Sequence, residues 1–244
     1  MQDTKLSKDK SPSAFKIVLV RHGESQWNYE NRFTGWIDVD LTTRGEAEAG
    51  HAGILLKEAG YSFDLVYSSV LERTIKSVFY LLETLGQLWI PQEKCWELNE
   101  RHYGALQRMS KDEAVAKYGE QQVFRWRRSY RERPPLLDSS SLDQPCLDPR
   151  YKDVQPELIR AGESLADTSS RVLRFWDEVL LPQVIAGKKI LIVAHGNSIR
   201  AIVKKLHQYS DSEIEAVNIP TGVPLVYDIN QRAELISHAK LESK

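Results

Sequence analysis

The sequence predicts an α/β fold, a three-layer α/β/α arrangement in which helices cover both faces of a mostly parallel sheet. Three observations carry this prediction. Short apolar runs rich in β-branched residues, "FKIVLV" (15–20) and "KKILIVAH" (188–195), suit strands buried on both faces. Segments with helical spacing of apolar residues alternate with such runs. Two of the runs end in the same pair, His-Gly, in "VLVRHGES" (18–25) and "KKILIVAHGNS" (188–198). Open α/β sheets bind ligands beyond the carboxyl ends of their strands, where both pairs would fall.

The elements follow in order. After "FKIVLV", residues 41–60 read as a helix, with Thr43 and Glu46 spaced as a capping box and Gly60 as its stop. "DLVYSS" (64–69) is a second strand, followed by a helix in "VLERTIKSVFYLLETLG" (70–86) that ends at Gly86. Residues 110–130 open with another capping pattern, Ser110 to Glu113. Residues 131–162 are rich in Pro, Ser, Asp and Arg without periodicity, as a linker or a long surface loop would be. Residues 164–181 return to helix, 188–195 to strand and 198–209 to helix, and "PLVYDI" (224–229) is the final strand.

Bulk properties narrow the function. A formal net charge of −1 over 244 residues gives no global field for nucleic acid or an anionic membrane, so an anion site must be built locally. Cys95 and Cys146 are too few for a disulfide framework and lack metal-ligand spacing, which suits a reducing cytoplasm. No apolar run approaches the roughly 20 residues of a membrane span. Residues 1–14, "MQDTKLSKDKSPSA", read as a solvated, flexible leader, and 15–244 as a single catalytic domain.

The candidate chemistry gathers around the His-Gly pairs. A neutral His22 can attack phosphorus and split one hard step into two, and Gly23 beside it would let backbone approach a ligand. Arg21 would disfavour imidazole protonation and offer phosphate a planar fork. His195, Gly196 and Asn197 stand at the second strand end, and Arg73 falls in the first turn of a helix, where backbone N–H groups also favour an anion. In "LNERHYG" (98–104), Glu100 is the titratable acid for a leaving oxygen or an incoming hydroxyl, or else a partner of Arg101; His102 reads as a packing residue. Arg127 and Arg128 form either a solvated helix face or an anion clamp. Asn28, Thr34, Gly35, Tyr103 and Lys111 are weaker candidates. No metal is expected, because no close-spaced ligand pair exists and the arginines would repel a divalent cation.

"RHGES", "WN", "NRFTGW", "LNERHYG", "WRRSY", "AHGNS" and "PTGVP", in this order, resemble the histidine phosphatase superfamily and, more closely, the cofactor-dependent phosphoglycerate mutases. The resemblance runs from about Phe15 to about Ile229 and implies a mostly parallel six-stranded sheet. It implies a glycolytic and gluconeogenic isomerase that interconverts 3-phosphoglycerate and 2-phosphoglycerate, primed by 2,3-bisphosphoglycerate. On that pattern His22 is the phosphorylated nucleophile and Glu100 the proton donor and acceptor, while Arg21, Arg73 and His195 bind the transferring phosphoryl group. Asn28, Thr34, Gly35, Tyr103, Lys111, Arg127, Arg128, Gly196 and Asn197 surround the substrate. The partners implied are small phosphoglycerates and a second copy of the chain, as a homodimer. Ser25 and "FTGW" resemble a mutase rather than a bisphosphoglycerate synthase.

Two departures stand out. Arg108 occupies a position where the family usually has glycine, which bears on the placement of Lys111. The chain continues for 15 residues past Ile229 without the family's C-terminal lid segment, which implies more hydrolysis of a phosphoenzyme. The rival readings are a histidine-type phosphatase or bisphosphoglycerate synthase of the same superfamily and, from another class, an idle sensor of phosphorylated ligands.

Overall fold

The computed structural model describes residues 14–242. The leader expected over 1–14 lies outside them but for Ala14. Six strands form one sheet: β1 (Phe15–Arg21), β2 (Leu65–Ser68), β3 (Gln92–Lys94), β4 (Ile190–Ala194), β5 (Pro224–Ile229) and β6 (Leu235–Lys240). Their order is β3-β2-β4-β1-β5-β6. The first four run parallel, whereas β5 pairs antiparallel with β1, and β6 antiparallel with β5, so the sheet is mixed. The helices are α1 (Gln26–Tyr29), α2 (Thr43–Glu58), α3 (Glu72–Leu85), α4 (Lys111–Tyr118), α5 (Glu120–Arg128), α6 (Leu165–Phe175), α7 (Leu181–Ile185), α8 (Gly196–His207) and α9 (Glu213–Ala216).

The side-chain period of two along each strand builds two cores. Ile17, Leu19, Leu65, Tyr67, Ile190 and Ile192 pack on one face with Val172, Phe175, Trp176, Ile199 and Ile202 of α6, α8 and the segment between α6 and α7. Val18, Val20, Val66, Leu191 and Val193 pack on the other with Ala52, Leu56, Val78, Leu81 and Leu82 of α2 and α3. Helices therefore cover both faces. Among the described residues no helix is long and apolar enough to cross a membrane.

Several elements differ from their sequence reading. The region 110–130 is two helices, broken at Gly119, whose φ of 83° and ψ of 148° suit only glycine. Ser110 and Glu113 do form the capping box, but α2 is capped one residue earlier than expected, by the Thr42 hydroxyl accepting from Gly45 N–H. Residues 176–180 open into a π-helical turn before Pro182. "PLVYDI" is not the last strand, because β6 follows it along the sheet edge. Residues 131–162 form a surface loop rather than a linker. It is tied down where Pro135 O accepts from Ala105 N–H and where Asp143 holds Arg108.

Candidate active site

Strand register brings the two His-Gly pairs together. Because β1 and β4 are parallel neighbours with Arg21 opposite Ala194, the residues after each strand emerge side by side. His22 N–H donates to Ala194 O, and the two imidazoles meet edge to face with centroids 4.9 Å apart. β2, on the other side of β4, leads through Ser69 into α3 and delivers Arg73 to the same edge.

His22 is buried, at 2% exposure, and its Nδ1 lies 2.7 Å from Gly23 O. A carbonyl only accepts, so Nδ1 carries the proton and Nε2 keeps its lone pair. Burial, and then the charges of Arg73 and Arg21, hold the imidazole well below its usual pKa, hence neutral. Gly23 has a different role from the one expected. A Cβ there would lie 1.9 Å from Gly45 O, and one on Gly45 would lie 2.0 Å from Glu24 O. The pair of glycines lets α2 press against the strand end, and the close approach is to a helix, not to a ligand.

A cavity of about 150 Å³ opens over this edge. Arg21, His22, Asn28, Thr34, Gly35, Arg73, Glu100, Tyr103, Lys111, Arg127, Arg128, Gly196 and Asn197 all line it. His195 does not. It is fully buried against His22, with Nε2 2.7 Å from Ser69 Oγ and Nδ1 without a partner. Burial, Arg73 and His22 keep it neutral as well. The lining also contains Arg32, Phe33, Arg200, Asn218 and Ile219, which the sequence reading missed. Arg32 and Phe33 sit inside the quoted "NRFTGW", whereas Arg200 is indistinguishable in sequence from any other helix arginine.

Among the described residues, seven cations and a single carboxylate, Glu100, line the cavity. Arg73 is 1% exposed, its guanidinium aimed by the carbonyls of Gly35 and Ile37, and burial lowers its pKa to about 10. Arg21 donates to Ile219 O while its buried Nε has no partner. Arg200 bridges Asn197 Oδ1 and the Ile214 carbonyl, and burial followed by the charge of Arg101 lowers its pKa to about 10. Lys111 reaches Asn31 Oδ1 and is lowered to about 8 by burial and by Arg127, Arg21 and Arg128.

Glu100 is not the partner of the Arg101 guanidinium, which turns to Tyr103 OH and the Arg127 carbonyl. Its Oε1 accepts from Arg101 N–H at 2.7 Å and from Asn197 Nδ2 at 2.8 Å. Asn28, by contrast, spends its side-chain oxygen on the Ser25 cap of α1. Arg108 takes the glycine conformation, φ 74°, and is held there by a bidentate pair with Asp143 and by Arg32 donating to its carbonyl. Lys111 therefore reaches the cavity in spite of the substitution. Among the described residues no group of three or more His, Cys, Asp or Glu converges as metal ligands do.

Among solved structures, a phosphoglycerate mutase from Bacillus anthracis str. Sterne matches with TM-score 0.63 and 21% identity, covering 96% of this chain and 93% of that one. The alpha-ribazole phosphatase from Shigella flexneri matches with TM-score 0.67 and 24% identity, covering 93% and 96%. A mycobacterial glucosyl-3-phosphoglycerate phosphatase, in complex with VO3, matches with TM-score 0.67 and 21% identity, covering 88% and 92%. At these identities the likeness establishes a shared fold. A model of the histidine phosphatase superfamily (branch 1) matches residues 17–237. With a strand-end histidine in a cationic cavity, a second buried against it and a family match along nearly its whole length, the chain belongs to branch 1 of the histidine phosphatase superfamily.

Proposed function

We propose that this protein is a phosphoglycerate mutase that works through a phosphohistidine at His22 Nε2, primed by 2,3-bisphosphoglycerate. The observation that carries the reading is a neutral histidine, with Nε2 free, in a small cavity lined by seven cations and one carboxylate. The cavity is lined mostly by polar and cationic side chains, which suits a compact polyanion such as a phosphoglycerate. Both a mutase and phosphatases share the fold, so the choice between them rests on the cavity.

The bisphosphorylated primer fits this donor set, since its negative charge matches the seven cations of the lining and the unpartnered buried Nε of Arg21. It supplies a phosphoryl group. Nε2 forms a bond to phosphorus as the ester P–O bond breaks, and Glu100 gives its proton to the leaving alkoxide. Arg21 and Arg73 hold the charge on the equatorial oxygens, while Arg127, Arg128 and Lys111 hold the carboxylate and the second phosphate. In the return step the substrate hydroxyl loses its proton to Glu100 and its oxygen takes the phosphoryl group from Nε2.

Hydrolysis is the second reading. It is favoured by one observation: among the described residues none beyond Ile219 lines the cavity, and residues 235–240 pair along the sheet edge instead. As a partner we propose a second copy of the chain, supported by Phe79 on α3 and Leu88 and Trp89 before β3, exposed at 49%, 43% and 78%. Sedimentation of wild type and Trp89→Glu tests this; a monomeric wild type refutes it.

Incubation with labelled 2,3-bisphosphoglycerate tests the main reading. Acid-labile, base-stable label on wild type and not on His22→Ala, passed on to added 3-phosphoglycerate, supports the mutase. Label lost as free phosphate in the presence of acceptor moves the reading to phosphatase. Absence of label from wild type sinks the phosphohistidine.

A further inference from the structure

Behind Glu100, on the side away from the cavity, lies a buried ion pair that the chemistry above does not use. Arg171 of α6 is 5% exposed and Glu163 is 2% exposed. Their contact is bidentate, with Arg171 Nε donating to Glu163 Oε1 at 2.7 Å and Nη2 to Oε2 at 2.8 Å. The three remaining N–H groups of the guanidinium go to main-chain carbonyls. Nη1 donates to Glu97 O and Asn99 O, and Nη2 to Glu100 O.

Glu163 grips the same segment from its other end. Its Oε2 accepts from His102 N–H at 2.8 Å, and its own N–H donates to His102 O at 2.8 Å. Residues 99–103 lie between a short 3₁₀ turn ending at Leu98 and another beginning at Gly104, so no helix or strand satisfies their backbone. Buried backbone groups must be paired, and here one ion pair does it for four of them across six residues. A buried ion pair is weak evidence of stability, because desolvation offsets the attraction, so its position is the informative feature.

We propose that Arg171 and Glu163 are positioning residues for the proton transfer assigned to Glu100, fixing the main chain from which that carboxylate reaches the ester oxygen. Only arginine can do this. Its planar fork spends five donors on two carboxylate oxygens and three carbonyls, whereas a lysine ammonium has three donors and no plane. The clamp matters where a proton must move. An alkoxide leaving group needs the proton of Glu100, whereas a leaving group that departs as a stable anion does not.

The inference rests on the phosphohistidine reading, and its test separates the two. Wild type, Arg171→Lys and Glu163→Gln are labelled in single turnovers from 2,3-bisphosphoglycerate, whose leaving group is an alkoxide, and from acetyl phosphate, which releases acetate. Wild type labelled by neither donor refutes the underlying reading. With wild type labelled, the alkoxide donor is expected to slow by about 10- to 100-fold in Arg171→Lys while acetyl phosphate changes less than about threefold, since sub-ångström misplacement of a catalytic group acts on this scale. Equal loss with both donors, or loss with neither, overturns the inference. Failure of both variants to fold overturns it too, because the pair would then hold the fold and not the acid. If acetyl phosphate does not label wild type, the split between rate and binding in the bisphosphoglycerate reaction decides. Slower labelling at saturating donor with unchanged half-saturation in Arg171→Lys supports the clamp, and weaker donor binding with an unchanged rate overturns it.

Discussion

At the scale of single residues, burial sets the charge states around the cavity. Lys111 sits half-buried among Arg127, Arg21 and Arg128, and its pKa falls to about 8. A lowered lysine loses its proton as pH rises through that value, so its contribution to anion binding is present below pH 8 and lost above it. KM for phosphoglycerate should therefore rise above about pH 8 while kcat stays nearly level. Lys111→Met should raise KM at pH 7 by about 10- to 100-fold, the worth of one charge-assisted hydrogen bond, and should abolish the alkaline limb. A limb that persists in that variant would assign it to another group. The histidines obey the same physics with a different outcome. Both are kept neutral by burial and by the arginines, so a nucleophilic Nε2 persists well into acid.

At the scale of elements, one turn decides which side chains reach the cavity together. Gly119 redirects the chain between α4 and α5, so that Lys111 at the start of one and Arg127 and Arg128 at the end of the other line the same space. A Cβ at Gly119 would meet nothing within 4 Å, so the cost of Gly119→Ala is purely that of its backbone, φ 83° and ψ 148°. That cost is about 1–3 kcal/mol, expected as a lower midpoint in urea together with weaker phosphoglycerate binding. An unchanged midpoint would mean that the turn rearranges freely. The same turn illustrates what the sequence could and could not reveal. Apolar runs marked β1, β2, β4 and β5, because strands buried on both faces leave an unambiguous apolar signature. The edge strands β3, "QEK", and β6, "LISHAK", left no such signature, since they are almost wholly exposed. His22 and Arg73 were legible because they sit at a strand end and in the first turn of a helix, and Glu100 because it falls in the motif "LNERHYG". Glu163, Arg171 and Ser69 were not, because their roles depend on contacts between segments far apart in the chain.

At the scale of the whole molecule, the fold gathers more positive charge at one sheet edge than it neutralises. Among the described residues no carboxylate lies within 4.0 Å of the guanidinium groups of Arg21, Arg73, Arg101 or Arg200, although each but Arg21 is at most 4% exposed. The chain as a whole carries a net charge of −1, so this excess is a local choice. Removing those guanidinium groups from water costs free energy, and their mutual repulsion adds to it; an anion in the cavity offsets both. Folding and anion binding are thereby linked, because the unfolded chain has no cavity in which to collect the ligand. Inorganic phosphate or vanadate at about 100 times its dissociation constant should stabilise the protein by about 2.7 kcal/mol. For a chain of this size that corresponds to a rise in Tm of roughly 5–10 °C. Chloride at equal ionic strength should give little of it, since screening acts weakly on buried charges. Arg73→Met should lose most of the anion-dependent rise, while its Tm without anion falls by less than the removal of so buried a side chain would ordinarily cost. If phosphate and chloride shift Tm equally, the arginines are satisfied within the fold and the cavity is not organised around an anion.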